Sequence, residues 1–401
     1  MSSAVAIIAE YNPFHNGHLY HLSEAKRLSG AEYSFAVMSG NFVQRGEPAL
    51  QNKLTRAKSA VLNGLDIIFE LPVRFSTASA QDFAYAGVEM INSLKAADYL
   101  AFGAETNDIT KLTAVSKLLA NESGSFKASL NDHLKEGCSF PKARALAVLD
   151  ELGSDFQEVI TLPNNILAIE YLTALLKLDS PIKPVLIQRN AASHDSDSIS
   201  GEFASAKMIR NMLYSGNHDE ASRYLPSQTE ALDEKYIKAD DITALLNLSL
   251  INFQHTKNIP QPSILDMSEE LSNKLRKLTL PLSYEEINEA LKTKELTLSR
   301  IRRVLIHLLL DIRAVKTPSG IYCPYASLLA LRKDSSKLLR AISDNSCIDI
   351  INKRADYQPK DQYAATLYEY DKKATDIYNL LYFINTGVRL PNELSSNIVI
   401  V

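Results

Sequence analysis

Three histidines, His15, His18 and His21, fall within seven residues of a chain that has 8 among 401. They sit in the stretch IIAEYNPFHNGHLYHL, after a short apolar run and a turn through Asn12-Pro13. His15 and His18 stand three apart at a helix entry, so both can point at one anion. A helix start adds free backbone N–H groups and a positive dipole end. That pattern suits the polyphosphate of a nucleotide. Gly17 lies between them without a Cβ, which lets a flat base or a phosphate approach the backbone. The plainer alternative is a pair of loop histidines capping a helix. His21 is one turn further on and reads as part of that helix. Neither GxGxxG nor GxxxxGK[ST] occurs, so the dinucleotide and P-loop readings have no support.

The elements that must position these residues alternate. Ala4–Ala9 has the length of a buried parallel strand, and YSFAVMSG (33–40), DIIFELP (66–72), DYLAFGAE (98–105) and IKPVLIQR (182–189) read the same way. Between them, helical spacing recurs at Leu19, Leu22 and Ala25, over Lys53 to Asn63, over Ser79 to Leu94, and over Pro163 to Leu178. Gly64 is a helix stop. This order implies an α/β fold, a Rossmann-like doubly wound parallel sheet. Its first strand delivers its loop to the carboxyl edge, where such sheets bind ligands. Residues 108–155 read as a helical insertion. Asn190 to Ala204 is polar and rich in Ser, Asp and Gly, a loop suited to closing over a ligand. Beyond about Gly216 strand signals fade. Leu298, Ile301, Leu305, Leu308, Leu309 and Ile312 mark one helix face, so 216–401 is expected to be a mostly α-helical domain.

Composition excludes several classes. Hydrophobic content of 46% and charged content of 22% are ordinary for a globular protein, and the net charge of −4 rules out a polycation. Cys138, Cys323 and Cys347 are far apart and form no CxxC pair, which fits a reducing compartment. No apolar run approaches a membrane span, and the N-terminus has no signal-peptide pattern. A cytoplasmic protein is expected, with no membrane association.

His15-Asn16-Gly17-His18 resembles the HIGH-type motif of the nucleotidyltransferase superfamily, to which class I aminoacyl-tRNA synthetases are distantly related. In that superfamily the two histidines contact ATP phosphates. Its second motif, ISSTxIR in the nicotinate mononucleotide adenylyltransferases, is matched by ASAKMIR (204–210) at Ser205, Ile209 and Arg210. It departs at Ala204, Ala206 and Lys207. The segments AEYNPFHNGHLYHL, VMSGNFVQRGEPA, DIIFELP, FGAE, PNNILAIEY and RIRRVLIHLLL together resemble the bacterial tRNA(Met) cytidine acetate ligase family, from the N-terminus to about residue 330. The resemblance implies a nucleotidyltransferase domain over 1–215 and a tRNA-binding domain over 216–401. It implies an enzyme that forms acetyl-adenylate from ATP and acetate, then acetylates N4 of the wobble cytidine of elongator tRNA(Met).

It also implies which residues act. ATP contacts are expected from the loop Ile7, Ile8, Ala9, Glu10, Tyr11, Asn12, Pro13, Phe14, His15, Asn16, Gly17, His18, Leu19 and Tyr20. Further contacts are expected from Gly103, Asn164 (or its neighbour Asn165), Arg189 and Ser205. His15, His18, Lys207 and Arg210 are the expected catalytic donors, because adenylation needs alignment and charge neutralisation as pyrophosphate leaves. Mg²⁺ is expected to be held mainly by the phosphates, with no protein metal cage. A general base for acetyl transfer is not singled out; Glu10, His194 and Asp195 are candidates by position. The stretch 292–340 is rich in Lys and Arg, including Lys292, Lys294, Arg300, Arg302, Arg303, Arg313, Arg332, Lys333, Lys337 and Arg340 against Glu295, Asp311 and Asp334. Arg300, Arg303 and Arg45 are the expected tRNA contacts, and no protein partner is implied. Two other readings stay open. One is an adenylyltransferase for a small nucleotide; the other is a nucleotide-sensing RNA-binding protein without turnover.

Overall fold

A computed structural model describes residues 3–189, 201–229, 236–256, 263–293, 296–318 and 322–401. Most of the expected lid, the base candidates His194 and Asp195, and Lys294 and Glu295 of the basic run lie outside the described residues.

Ten strands form among the described residues: β1 Ala4–Ala9, β2 Tyr33–Ser39, β3 Phe42–Val43, β4 Glu47–Pro48, β5 Ile67–Leu71, β6 Tyr99–Ala104, β7 Lys183–Gln188, β8 Tyr325–Leu331, β9 Asp349–Ile351 and β10 Val399–Ile400. The main sheet runs β10-β8-β5-β2-β1-β6-β7, with β9 beside β8, while β3 and β4 make a separate antiparallel ribbon. β1 pairs in parallel with β2 and with β6. The chain therefore builds outward from β1 to β5, then returns to β6 and β7. The gap between β1 and β6 is the switch point where an open α/β sheet makes a crevice.

Alternate strand residues feed two cores. Val5, Ile7, Ala36 and Met38 pack with Leu22, Ala25, Ala57 and Ala60 of the helices Asn16–Ser29 and Lys53–Leu62. Ala4, Ala6, Phe35 and Val37 face the helices Ala80–Leu94 and Pro163–Lys177. Residues 108–155 carry the helices Ile109–Ala120, Gly124–Lys135 and Phe140–Leu152. A further core gathers the helices between 237 and 312 onto Tyr378 and Leu381 of the long helix Gln362–Thr386, with Phe42 and Val73 reaching in.

Within the mostly α-helical stretch expected over 216–401, three strands also form. β8 lies antiparallel to β5, with Ile67 opposite Leu331, and all seven of its residues are buried. β9 and β10 join it in parallel. The last third of the chain thus completes the sheet that its first third began. Among the described residues no single helix is long and apolar enough to cross a membrane.

Candidate functional site

A cavity of about 430 Å³ opens at the carboxyl ends of β1, β6 and β7. Its wall includes Ile7 to Asn12, His15, Gly17, His18 and Tyr20 from the first loop. It also includes Arg45, Gly103, Asn164, Arg189, Ser205, Lys207 and Arg210. Four helices begin at this cavity: Asn16–Ser29, Ala80–Leu94, Pro163–Lys177 and Ala206–Tyr214, each with a first-turn or capping residue in the wall. Four dipole ends aimed at one space favour an anion.

His15 caps the first helix. Its Nδ1 accepts the Gly17 N–H at 3.0 Å, and His18 Nδ1 accepts the His15 N–H at 3.3 Å. The two rings stack with centroids 3.8 Å apart, and His18 stands edge-on to Tyr11 at 4.9 Å. With Nδ1 accepting in both rings, the proton of each neutral imidazole sits on Nε2. The cap and the anion readings are therefore not alternatives. The cap fixes the tautomer that makes Nε2 the donor.

Gly17 has a different reason from the expected one. A Cβ there would lie 2.8 Å from His15 Cε1. The absent side chain makes room for the imidazole of His15, and Gly17 itself stays in the cavity wall. Asn16 is not in the wall. Its Nδ2 donates to the carbonyls of Glu202 and Arg223, both at 3.1 Å, and its N–H donates to the Tyr224 carbonyl at 2.9 Å. Pro13, Phe14 and Leu19 are also outside the wall. Phe14 is buried under the loop, at 5.0 Å from Tyr11.

The second motif meets the first through the backbone. Ser205 caps the helix Ala206–Tyr214, with Oγ accepting the Met208 N–H at 3.1 Å. Arg210 Nη1 donates to the Asn12 carbonyl at 2.8 Å. Residues about 190 apart in sequence thus share one wall. Arg56, fully buried, binds the carbonyls of Glu10, Ser39 and Gly40, and so ties the ends of β1 and β2 together.

On the far side, Arg189 donates to Asn164 Oδ1 at 3.1 Å, and Asn164 Nδ2 donates to Glu105 Oε1 at 2.6 Å. Glu105 also accepts the N–H groups of Asn164 and Asn165, at 3.1 and 2.8 Å, so it caps that helix from outside. Asn165 is fully buried and accepts the Glu105 and Thr106 N–H groups. Of the two asparagines, Asn164 faces the cavity. Burial holds the Arg189 guanidinium below its usual range, opposed by Glu105.

Sequence reasoning overlooked several wall residues. His21 lies in the wall beside Gly103; burial, aided by Arg189, pushes it down to about 4, so it is neutral. Phe83, Phe102, Ile166, Tyr171 and Phe203 add apolar and aromatic surface. Helical periodicity reads Phe83, Ile166 and Tyr171 as core and the strand pattern does the same for Phe102, and nothing local separates a core face from a cavity floor. Glu47 is in the wall and ion-paired with Arg302.

The basic stretch does not form one face. Arg303 is 11% exposed and sits 3.8 Å from Asp266, and Arg302 is engaged by Glu47. A Cβ on Gly46 would strike the Arg303 nitrogen at 2.4 Å, so the ribbon turn and the helix Leu298–Leu310 pack backbone to backbone. Arg332 lies 3.7 Å from Asp66, which precedes β5. It is therefore at the amino edge of the sheet, opposite the cavity. Arg300 is half-buried at the start of its helix. No group of three or more His, Cys, Asp or Glu suited to a metal occurs among the described residues.

A family profile described as HIGH Nucleotidyl Transferase matches residues 2–389. A tRNA(Met) cytidine acetate ligase of Thermoanaerobacter sp. (strain X514) is 39% identical over 382 residues, covering 94% of this chain and 95% of that protein. One from Clostridium perfringens (strain SM101 / Type A) is 37% identical over 403 residues, with 96% of each covered. The crystal structure of Thermotoga maritima TmcAL bound with alpha-thio ATP is similar with a TM-score of 0.86 at 28% identity, covering 100% of this chain and 99% of that one. The chain belongs to the tRNA(Met) cytidine acetate ligase family of HIGH nucleotidyl transferases.

Proposed function

We propose that this cavity binds ATP and acetate, forms acetyl-adenylate, and passes the acetyl group to N4 of the wobble cytidine of elongator tRNA(Met). One observation carries the reading: the histidine loop and the Ser205–Arg210 helix share one wall, joined by the hydrogen bond from Arg210 to Asn12. A carboxylate oxygen of acetate attacks the α-phosphorus, the bond to the β-phosphate breaks, and pyrophosphate leaves. His15 and His18 present Nε2–H donors to the phosphates, and four helix starts add fixed positive potential. Lys207 and Arg210 neutralise charge on the departing pyrophosphate. Asn164 and Arg189 line the opposite side, and we assign them to the nucleoside end. Mg²⁺, held by the phosphates, supplies further charge neutralisation.

The exocyclic amine of cytidine then attacks the acetyl carbonyl and AMP leaves. Arg45, on the ribbon at the cavity mouth, and Arg300 are assigned to the tRNA backbone; the pairing of Arg303 with Asp266 gives it a structural role instead. A tRNA substrate supports a cytoplasmic location.

ATP–pyrophosphate exchange tests the reading. Exchange that depends on acetate, followed by acetylation of tRNA(Met), is the expected result. Exchange only with a mononucleotide would point to an adenylyltransferase. Nucleotide binding with no exchange under any condition would point to a sensor.

A further inference from the structure

We infer that Glu10 is the proton acceptor for the second step, receiving the N4 proton of cytidine as the C–N bond forms. The inference rests on the function proposed above. Glu10 follows β1 directly and stands in the cavity wall at the switch point. Its carbonyl is held by Arg56, and its Oε1 accepts the Gln44 N–H at 2.8 Å. One anchor holds the backbone of Glu10 and the other its carboxyl group, where β1 and the ribbon meet.

The other wall groups are unsuited to accept a proton. His15 and His18 have Nδ1 committed to backbone N–H groups, which leaves Nε2 protonated and donating. His21 is buried beside Arg189, whose positive charge opposes its taking up a proton. Glu47 is ion-paired with Arg302. Glu10 faces Arg45, Arg56, Arg210 and Tyr171. Burial raises its carboxyl above the usual range, opposed by the Gln44 N–H and the three arginines, and this makes it a stronger base. A carboxylate is also the side chain that reads the N4 amine of cytosine, so one contact serves both recognition and proton removal. The step balances. The N4 lone pair bonds to the acetyl carbon, the bond from that carbon to the adenylate oxygen breaks, AMP leaves, and the N4 proton passes to Glu10.

The test compares the two half-reactions in Glu10→Gln, which keeps an acceptor for the Gln44 N–H. Acetate-dependent exchange and transfer of labelled acetyl to tRNA(Met) are measured on the same full-length preparation. The ratio of transfer to exchange is expected to fall about 100-fold or more. Glu10→Asp, which keeps a carboxylate, is expected to restore part of that ratio. In the wild type, transfer falls as pH drops through the range of Glu10, and this limb is absent in Glu10→Gln. An unchanged ratio, whether both steps fall together or neither does, overturns the assignment. Wild-type protein without acetate-dependent exchange would instead overturn the function on which it rests.

Discussion

Two charged clusters lie on either side of the β2 end, and they are built on opposite plans. In the first, Lys53 Nζ meets Glu70 at 2.7 Å and Glu393 at 2.6 Å, while Arg354 Nε meets the other oxygen of Glu393 at 2.8 Å. All four side chains are buried, and two cations face two carboxylates. Burial opposes the charge on Lys53, but Glu393 and Glu70 outweigh it and hold the amine above its usual range. In the second, the cavity wall sets Arg45, Arg189, Lys207 and Arg210 against Glu10 and Glu47, and Glu47 already has Arg302. The first cluster is balanced within the protein. The second is weighted toward positive charge and has four helix starts behind it. A balanced buried cluster serves the fold, whereas the helix starts that converge on the cavity favour an anion there.

The comparison breaks most sharply at Lys53. Lys53→Met leaves Glu70 and Glu393 facing each other without their shared cation, at an expected cost of about 3–5 kcal/mol in thermal or denaturant unfolding. A smaller loss would mean that the cluster is not the structural unit described. Gly17→Ala comes next. The added methyl must displace the His15 ring, and an off-rotamer shift of about 0.5–1.5 kcal/mol lowers exchange roughly 2- to 10-fold, with little change in melting temperature. Full activity would show that the ring need not sit where its cap holds it.

The smallest effect distinguishes two neighbouring arginines. Arg300→Ala is expected to weaken tRNA binding and reduce the salt slope by about one. Arg303→Ala is expected to lower stability through the loss of its Asp266 partner and leave that slope unchanged. The reverse pattern would return Arg303 to the tRNA surface.

The five parallel strands were legible because short apolar runs alternate with helical periods, and the histidine loop was legible because its residue types are rare. β8 was not. The seven residues Tyr325–Leu331, apolar but for Ser327, have no periodicity that separates a buried strand from a buried helix. β9 and β10, at three and two residues, are too short to leave a pattern. The basic run between 292 and 340 looked like one patch because linear sequence hides that β8 carries the chain to the opposite edge of the sheet. The packing roles of Asn16 and Gly17 were equally hidden. Asn16 ties the first helix to residues 202–224, and Gly17 clears space for a ring two positions back, both of which depend on contacts that spacing alone does not define.

His18→Ala tests the central claim most directly. Its imidazole is held by the His15 N–H as an Nε2 donor at the first helix start, so its removal takes away one donor while the helix cap from His15 remains. Acetate-dependent ATP–pyrophosphate exchange is expected to fall about 100- to 1000-fold, with an unchanged melting temperature. Wild-type exchange in a folded His18→Ala protein would contradict the assignment of this cavity as the adenylating site.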